Sequence, residues 1–115
     1  MIKSVIFVTG SLADGGAEKV MSILASGCAE LGADVTLVVL RPKKIVYPVS
    51  EKVKIIQFMD KGKLATAKRI KKLHQVMKKS TAEVVIPFLP IISLYTLIAN
   101  IGVGKKLIMS ERADP

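Results

Sequence analysis

The sequence predicts a single α/β domain built on a doubly wound parallel sheet of about five strands. Short apolar runs alternate along the chain with segments of helical periodicity, which is the pattern of successive β-α units. The apolar runs are nearly continuous, as in strands that are covered on both faces. The composition is 50% hydrophobic and 4% aromatic without tryptophan, and 115 residues suffice for one aliphatic core.

The first three elements form a β-α-β unit. Residues 2–9 are predicted to be a strand, residues 17–31 a helix and residues 34–40 the second strand. Gly32 supplies the left-handed position that ends the helix. The predicted apolar stripe of this helix consists of Val20, Ile23, Leu24, Ala25, Cys28 and Leu31.

The rest of the chain continues the alternation. After a loop at 41–52, which Pro42 and Pro48 interrupt, strands are predicted at 53–58, 84–88 and 106–109. Helices are predicted at 61–79 and 91–101. The second of these is so apolar that we expect neighbours on both of its sides. The first has an apolar stripe made of Leu64, Ala67, Ile70, Leu73 and Met77.

The stretch between Glu83 and Lys105 contains no charged residue. Such a gap matches the roughly 20 residues of a membrane-spanning helix. Pro87 and Pro90 interrupt its first third, however, and an asparagine and two glycines close it. A short strand followed by a short helix is therefore the better interpretation.

The formal net charge is +9, from 18 Lys and Arg against 9 Asp and Glu. This excess suggests anionic partners. The single cysteine, Cys28, allows neither an internal disulfide nor a metal-binding pair, and it fits a small core residue on the first helix. The lone cysteine therefore makes the cytoplasm the predicted compartment. The first apolar run is also too short for a secretory signal.

Segment 61–79 contains eight cationic residues and no acidic one. One interpretation is a solvated outer face of a helix. The other is attachment to an anionic membrane surface, to which each charge contributes about 1 kcal/mol. Nucleic acid is not an expected partner, because stacking aromatic residues are scarce. His74, within this segment, is interpreted as a surface residue. The cations are Lys61, Lys63, Lys68, Arg69, Lys71, Lys72, Lys78 and Lys79.

A glycine-rich turn at 10–16 separates the first strand from the first helix. A helix N-terminus offers free N–H groups and a positive dipole end, and Gly15 and Gly16 allow a ligand to approach the backbone. In parallel sheets, ligands bind beyond the carboxyl ends of the strands. The loops around 88–90 and 110–115 are predicted to lie at the same edge. The turn therefore indicates an anion site, although two glycines also suit a tight structural turn.

Two common nucleotide motifs do not fit this turn. A dinucleotide fingerprint needs G-x-G-x-x-G and an acidic residue after the second strand, whereas Arg41 follows that strand here. A P-loop needs Lys-Ser or Lys-Thr after its second glycine, and Gly16 and Ala17 stand there instead. Without that lysine and hydroxyl, neither the terminal phosphates nor Mg²⁺ would be held.

Four sequence motifs resemble the group 1 (family 4) glycosyltransferases. Residues 15–20, G-G-A-E-K-V, are similar to the family's G-G-A-E-[RK]-V. Residues 31–38, L-G-A-D-V-T-L-V, resemble its second strand, L-x-x-x-G-H-E-V-T-L-V, and residues 82–89, A-E-V-V-I-P-F-L, resemble P-D-V-V-I-S-F-L. Residues 110–115, S-E-R-A-D-P, look like S-E-R-N-D-P of one branch. The motifs follow one another in the family's order over almost the whole chain.

The resemblance implies a GT-B architecture, in which two Rossmann-like domains enclose the active site. The N-terminal domain mainly binds the acceptor, and the C-terminal domain binds the nucleotide-sugar donor through a glutamate pair seven residues apart. On this basis the chain is expected to be one Rossmann-like acceptor-side domain over residues 1–115, a partial, truncated half without the donor-binding domain. By itself it is expected to transfer no sugar.

The implied activity is retaining transfer of a sugar from a nucleotide-sugar to a glycan or lipid-linked acceptor of the cell envelope. No metal and no cofactor is expected, since the nucleotide-sugar is a co-substrate. The expected location is the cytoplasm, with a peripheral position at the inner face of the membrane. The open alternative is a non-catalytic, anion- or membrane-binding Rossmann-like module.

The resemblance also implies site residues. Gly15 and Gly16 are expected to face the substrates, and Glu18 is a candidate in the first helical turn, where it equally suits the helix dipole. No residue is assigned a catalytic role, because the region after the fifth strand lacks the histidine of many relatives. The remaining candidates, from the loops that follow strands, are Phe88, Ser110, Glu111 and Arg112.

Overall fold

The predicted doubly wound parallel sheet is confirmed. A computed structural model describes residues 4–10, 15–42, 45, 48–88 and 90–108. In the first helix the side chains are described from residue 19 on, and in the last helix from residue 92 on. All strand pairs are parallel, and the strand order is β3-β2-β1-β4-β5. The elements are β1 (Ser4–Thr9), α1 (Gly15–Glu30), β2 (Asp34–Val39), β3 (Lys54–Gln57), α2 (Ala65–Lys79), β4 (Val84–Pro87), α3 (Pro90–Ala99) and β5 (Lys106–Leu107).

Strand β1 is the centre of the sheet. It pairs with β2 along its whole length and with β4 over four residues on its other side. Ile6 and Val8 are consequently inaccessible to solvent. The chain runs outward from β1 in one direction through β2 and β3, and then in the other through β4 and β5. The strand order therefore reverses between β1 and β4.

Two hydrophobic cores cover the two faces of the sheet. Alternate residues of a strand point to opposite faces, so Val5 and Phe7 pack with α1. Ile6 and Val8 pack on the other face, together with buried residues of α2 and α3. The domain thus has three layers, with α1 on one side and both other helices on the opposite side.

Helix α1 is rotated relative to the predicted stripe. Met21, Ala25 and Ala29 form its buried face, with Val20 and Cys28 partly buried beside them. The predicted members Ile23 and Leu24 are exposed, as is Leu31 just after the helix, so this part of the prediction is wrong. The two alanines allow the helix backbone to lie close to the sheet, which the sequence pattern, weighted by large apolar residues, does not reveal.

The stripe of helix α2 is confirmed only in its C-terminal half. Leu73 and Met77 are inaccessible and Ile70 is partly buried, whereas Leu64 is 68% exposed and Ala67 is also exposed. The helix begins at Ala65, so Leu64 precedes it.

Asp60, in the loop before α2, contacts two cations of the helix. Its carbonyl accepts a hydrogen bond of 2.8 Å from Arg69 Nη2, and its carboxylate lies 3.0 Å from Lys72 Nζ. Of the eight cations of segment 61–79, Lys72 is thus paired with a carboxylate and Arg69 is bound through a backbone carbonyl.

Leu73→Ala is expected to reduce the free energy of unfolding by about 2–5 kcal/mol, because it leaves a cavity in the core between α2 and the sheet. Leu64→Ala, the same substitution nine positions earlier, should change it by less than about 0.5 kcal/mol because that side chain is mostly in solvent. Urea unfolding followed by circular dichroism compares the two. Equal effects would contradict the observed helix orientation.

Helix α3 packs on one side, not on both as predicted. Ile92, Ser93, Thr96 and Ala99 are buried against the sheet and α2. Leu94, Leu97 and Ile98 are 43–50% exposed. In the described parts of the chain, no helix combines the length and the hydropathy needed to cross a bilayer.

His74 has a partner that the sequence does not predict. Its Nδ1 lies 2.7 Å from the carbonyl oxygen of Ala99. Because a carbonyl only accepts hydrogen bonds, Nδ1 carries the proton. The contact joins the middle of α2 to the last residue of α3, so the side chain is a link between helices.

The loop before β3 is held against the end of α1. The Ser50 hydroxyl donates to Glu30 Oε1 over 2.7 Å, and Lys52 Nζ lies 3.2 Å from Glu30 Oε2. The Ser50 hydrogen bond and the Lys52 ammonium lower the pKa of Glu30 below its ordinary value. The Ser50 N–H also donates to Ser26 Oγ, which ties this loop to α1 at a second point.

Candidate functional site

The site that the topology indicates lies at the carboxyl edge of β1 and β4. These two strands are the point where the strand order reverses, and the crevice beyond such a point is where open α/β sheets bind ligands. Gly10 follows β1 there, and Phe88 follows β4. Helices α1 and α3 begin at the same edge. Gly10 and Phe88, with which the first two predicted loops begin, thus lie at the same edge, as predicted.

Arg41 lies beside Gly10 in this crevice. The Arg41 N–H donates to the Gly10 carbonyl over 2.9 Å, and the Arg41 carbonyl accepts from Gln57 Nε2 over 3.0 Å. The first bond continues the β1–β2 pairing past the strand ends, and the second links Arg41 to the end of β3 through the Gln57 side chain. The backbone of Arg41 is thus fixed by both neighbours, while its side chain is exposed.

The Arg41 guanidinium and Ile92 flank Gly10 from different elements. A Cβ atom at Gly10 would lie 3.6 Å from Ile92 Cδ1 and 4.0 Å from Arg41 Nε. Both distances are ordinary van der Waals contacts, so a methyl group would fit and a larger side chain would meet one neighbour. Gly10 and Ile92 are themselves buried, so Arg41 is the residue of the three that is exposed at this edge.

Gly15 and Gly16 form the first turn of α1. The helix begins at Gly15, two residues earlier than predicted, so the glycines lie within the helix and not in the preceding turn. N–H groups of a first turn have no acceptor inside the helix and lie at the positive end of its dipole. Glu18 belongs to the same turn. Contact of these three residues with substrate stays a prediction.

Phe88 lies at the predicted edge, but its side chain is in the core. It is 8% exposed and packs in the cluster on the α1 face, and its N–H donates to the Val8 carbonyl over 3.1 Å. These contacts give Phe88 a structural role, and substrate binding by it stays a prediction. The other predicted loop residues, Ser110, Glu111 and Arg112, lie outside the described residues.

Arg41 and Ile92 were not among the residues predicted for the candidate site. Arg41 served only to exclude a dinucleotide fingerprint, although a cation directly after the second strand of a β-α-β unit also favours an anionic ligand. No sequence signal identifies Ile92, because its approach to Gly10 depends on how α3 packs on the sheet.

A groove of about 400 Å³ lies at the opposite edge of the sheet. It is formed where β2 and β3 begin and α2 ends. Ligands of parallel sheets bind at the other end of the strands, and the last turn of a helix presents carbonyl groups, which disfavour anions. We therefore do not assign the groove to the candidate site. Its lining residues are Asp34, Thr36, Lys54, Ile56, Val76, Lys79, Ser80 and Thr81.

Potential metal ligands are dispersed in the described part of the chain. Cys28 packs against the core on the α1 face, and His74 lies on α2 across the sheet. Nowhere among those residues do three His, Cys, Asp or Glu side chains come together as ligands would.

The fold is similar to those of two solved proteins, a transferase and a domain of a hydrogenase. The apo form of the lipopolysaccharide outer core galactosyltransferase WaaB matches with a TM-score of 0.73 and 19% identity, over 92% of this chain and 32% of the transferase. The C-terminal domain of a hydrogenase from Pyrococcus furiosus matches with a TM-score of 0.65 and 11% identity, over 92% of this chain and 89% of that domain. A second structure of the hydrogenase domain gives a TM-score of 0.62 and 17% identity, with the same coverage of both chains.

These similarities show a Rossmann-like fold. The chain spans about a third of the length of the galactosyltransferase. No protein-family model matches the sequence, and no curated protein is significantly similar to it. Since one fold occurs here in a transferase and in a hydrogenase, function has to be argued from the site.

Proposed function

We propose that the chain is the acceptor-side domain of a glycosyltransferase of GT-B architecture. The observation that supports this most is the crevice at the reversal of strand order, where Arg41 lies beside Gly10 at the edge at which α1 begins. An exposed guanidinium and a helix N-terminus at one edge suit a diphosphate. The fold similarity to a galactosyltransferase is in keeping with this assignment.

Three of the four family-like motifs lie on the expected elements. Residues 15–20 open α1, residues 31–38 lead into β2, and residues 82–89 include β4. The motif G-G-A-E-K-V thus occupies a helix start at the carboxyl edge of the central strand. This agreement supports membership of group 1 (family 4), with a nucleotide-sugar as donor, a glycan or lipid-linked acceptor, and a cytoplasmic location.

In the proposed reaction, the bond between the anomeric carbon and the donor diphosphate breaks while the acceptor oxygen bonds to that carbon on the face that the diphosphate leaves. The proton of the acceptor hydroxyl passes to an oxygen of the leaving diphosphate. Negative charge then develops on the leaving diphosphate. Cations and N–H groups that are already in place stabilise such charge without reorganising. Arg41 and the first turn of α1 have this role in our proposal, and a second, donor-binding domain closes the cleft. Retention of the anomeric configuration is part of the same proposal.

A donor screen tests the assignment. We expect the complete gene product to release nucleoside diphosphate from one of a panel of nucleotide-sugars when an acceptor is present. We expect the 115-residue chain to release none, because the donor domain forms the other wall of the cleft. Turnover by the chain itself would contradict an acceptor-side role.

A non-catalytic module that binds anions or membranes is the second candidate. The observation that favours it is the charge of segment 61–79. Among the described residues, only Lys72 of this segment forms an ion pair, and Arg69 donates to a carbonyl. The remaining six lysines of the segment are exposed. Failure of the complete gene product to use any donor, together with binding to anionic vesicles, would favour this candidate.

A further inference from the structure

The outward face of α3 is apolar in the part of the helix from residue 92 on. Leu94, Leu97, Ile98 and Ile101 have exposed fractions of 49%, 50%, 43% and 71%. They follow the spacing i, i+3, i+4, i+7, so they lie on one face, which continues past the end of the helix at Ile101. The opposite face packs on the sheet and α2. Half-exposed leucine and isoleucine side chains in one contiguous row are uncommon on a monomer surface and indicate a contact surface.

The outward face of the neighbouring α2 is cationic. Lys68, Lys71, Lys78 and Lys79 are exposed, on the side of the helix away from Leu73 and Met77. Asp60, which pairs with Lys72, forms no ion pair with any of these four in the described residues. The four charges are therefore free to meet an external anion.

The two faces belong to one continuous surface. Helices α2 and α3 lie on the same side of the sheet, and His74 Nδ1 contacts the Ala99 carbonyl over 2.7 Å. On α2, Lys71 and Lys78 lie three residues before and four residues after His74, which makes them its neighbours on the helix surface. A row of lysines thus borders the apolar row of α3.

We infer that this α2–α3 surface binds an anionic lipid bilayer. The lysines are placed to contact headgroup phosphates, while the apolar row of α3 enters the boundary between headgroups and acyl chains, as in amphipathic helices that lie in the membrane plane. A second copy of the chain is a poorer occupant, because it would bring its own lysine row and its own net charge of +9 against the first.

The inference does not depend on sugar transfer. Helix α3 begins at the carboxyl edge of the sheet, but its apolar row extends from Leu94 to Ile101, towards the opposite edge. The bilayer surface is therefore distinct from the candidate site beside Gly10.

Insertion of α3 can be measured directly because the chain contains no tryptophan. We expect Leu97→Trp to show a blue-shifted, brighter emission with vesicles of equimolar phosphatidylcholine and phosphatidylglycerol, and no change with phosphatidylcholine alone. The matched control is Ile23→Trp, because Ile23 is 61% exposed on α1, on the other side of the sheet. The emission of this control should not respond to the vesicles. Equal responses at the two positions, or no response at Leu97, would overturn the inference.

Co-sedimentation with the same vesicles measures how much the lysine row of α2 and the apolar row of α3 each contribute to binding. We expect Lys71→Gln with Lys78→Gln to reduce the partition coefficient about 30-fold. Leu94→Gln with Ile101→Gln should reduce it by about tenfold or more. The controls on the α1 side, Lys19→Gln with Lys52→Gln and Ile23→Gln with Leu31→Gln, should stay within about twofold, since charges beyond a Debye length are screened.

Three further results would overturn the inference. One is vesicle binding that the lysine pair weakens but the α3 pair leaves unchanged. Another is equal loss in the control variants. The third is a dimer in sedimentation velocity that Leu94→Gln with Ile101→Gln dissociates, which would make a second copy the occupant. If vesicle binding is lost in the α2–α3 variants while the complete gene product still turns over a soluble acceptor, the membrane inference is supported separately from the transferase assignment.

Discussion

Arg41→Ala is expected to reduce kcat/KM of the complete gene product about 100-fold, with one donor and a saturating acceptor. The substitution removes the guanidinium beside Gly10 and leaves the crevice without that cation. Removal of one preorganised group that stabilises transition-state charge commonly costs between about 10²-fold and 10³-fold. Initial rates of nucleoside diphosphate release provide the measurement.

The variant should fold normally, because the contacts of Arg41 with its neighbouring strands are made by its backbone. Its N–H bonds to Gly10 and its carbonyl to Gln57, and neither bond needs the side chain. Arg41→Lys keeps the charge but not the planar fork, so it should recover only part of the activity. Lys52→Gln removes a cation from the opposite edge of the sheet and should have full activity. Full activity of Arg41→Ala would exclude the role proposed for this residue.

The architecture was predictable because its signals are local. Continuous apolar runs such as residues 5–8 and 37–40 identify buried parallel strands whatever their neighbours are. Gly32, whose φ is 98°, ends the first helical segment through its own backbone freedom. The order of such elements then restricts the topology to few choices. The elements the structure describes agree with this prediction, apart from small shifts of their ends.

The orientation of the helices was less predictable, because it depends on how closely each backbone approaches the sheet. The residues of α1 that face the sheet are Met21, Ala25 and Ala29. Ile23 and Leu24 are exposed, although each is larger and more apolar than an alanine. Small residues at the contact shorten the distance between helix and sheet. The spacing of apolar residues along the sequence does not predict this distance. The two-sided burial expected for α3 fails for a related reason. The apolar sequence of α3 predicts that its outward face is a contact surface, but it does not identify what contacts that face.

The position of the candidate site is a prediction from topology, and its composition was harder to predict. Topology places it at the carboxyl ends of β1 and β4, and the structure shows that these two strands are neighbours. Arg41 becomes relevant only through the pairing of β1 with β2, which brings it to Gly10. The burial of Phe88 had a usable signal. Alternate residues of a strand point to the same face, so Val84, Ile86 and Phe88 all lie on the α1 face of the sheet.

Replacing both glycines at the start of α1 should separate stability from activity. Gly15→Ala with Gly16→Ala is expected to keep or raise Tm, because alanine is favoured over glycine in a helix by up to about 1 kcal/mol. If a substrate approaches this backbone, two added methyl groups displace it, and a displacement of about 1 Å can cost 10²-fold in rate. We therefore expect kcat/KM of the complete gene product to fall about 10-fold to 100-fold while Tm does not decrease.

Gly27→Ala is the matched control for this prediction. Gly27 lies in the same helix, and a Cβ atom there would meet nothing within 4 Å. The control should therefore raise Tm through the same helix preference and leave kcat/KM unchanged. Unchanged activity in the Gly15 and Gly16 variant as well would show that the glycines only permit the turn from β1 into α1. A loss of activity restricted to that variant would instead support direct approach of a substrate to the first turn of the helix, because helix stability rises in both variants.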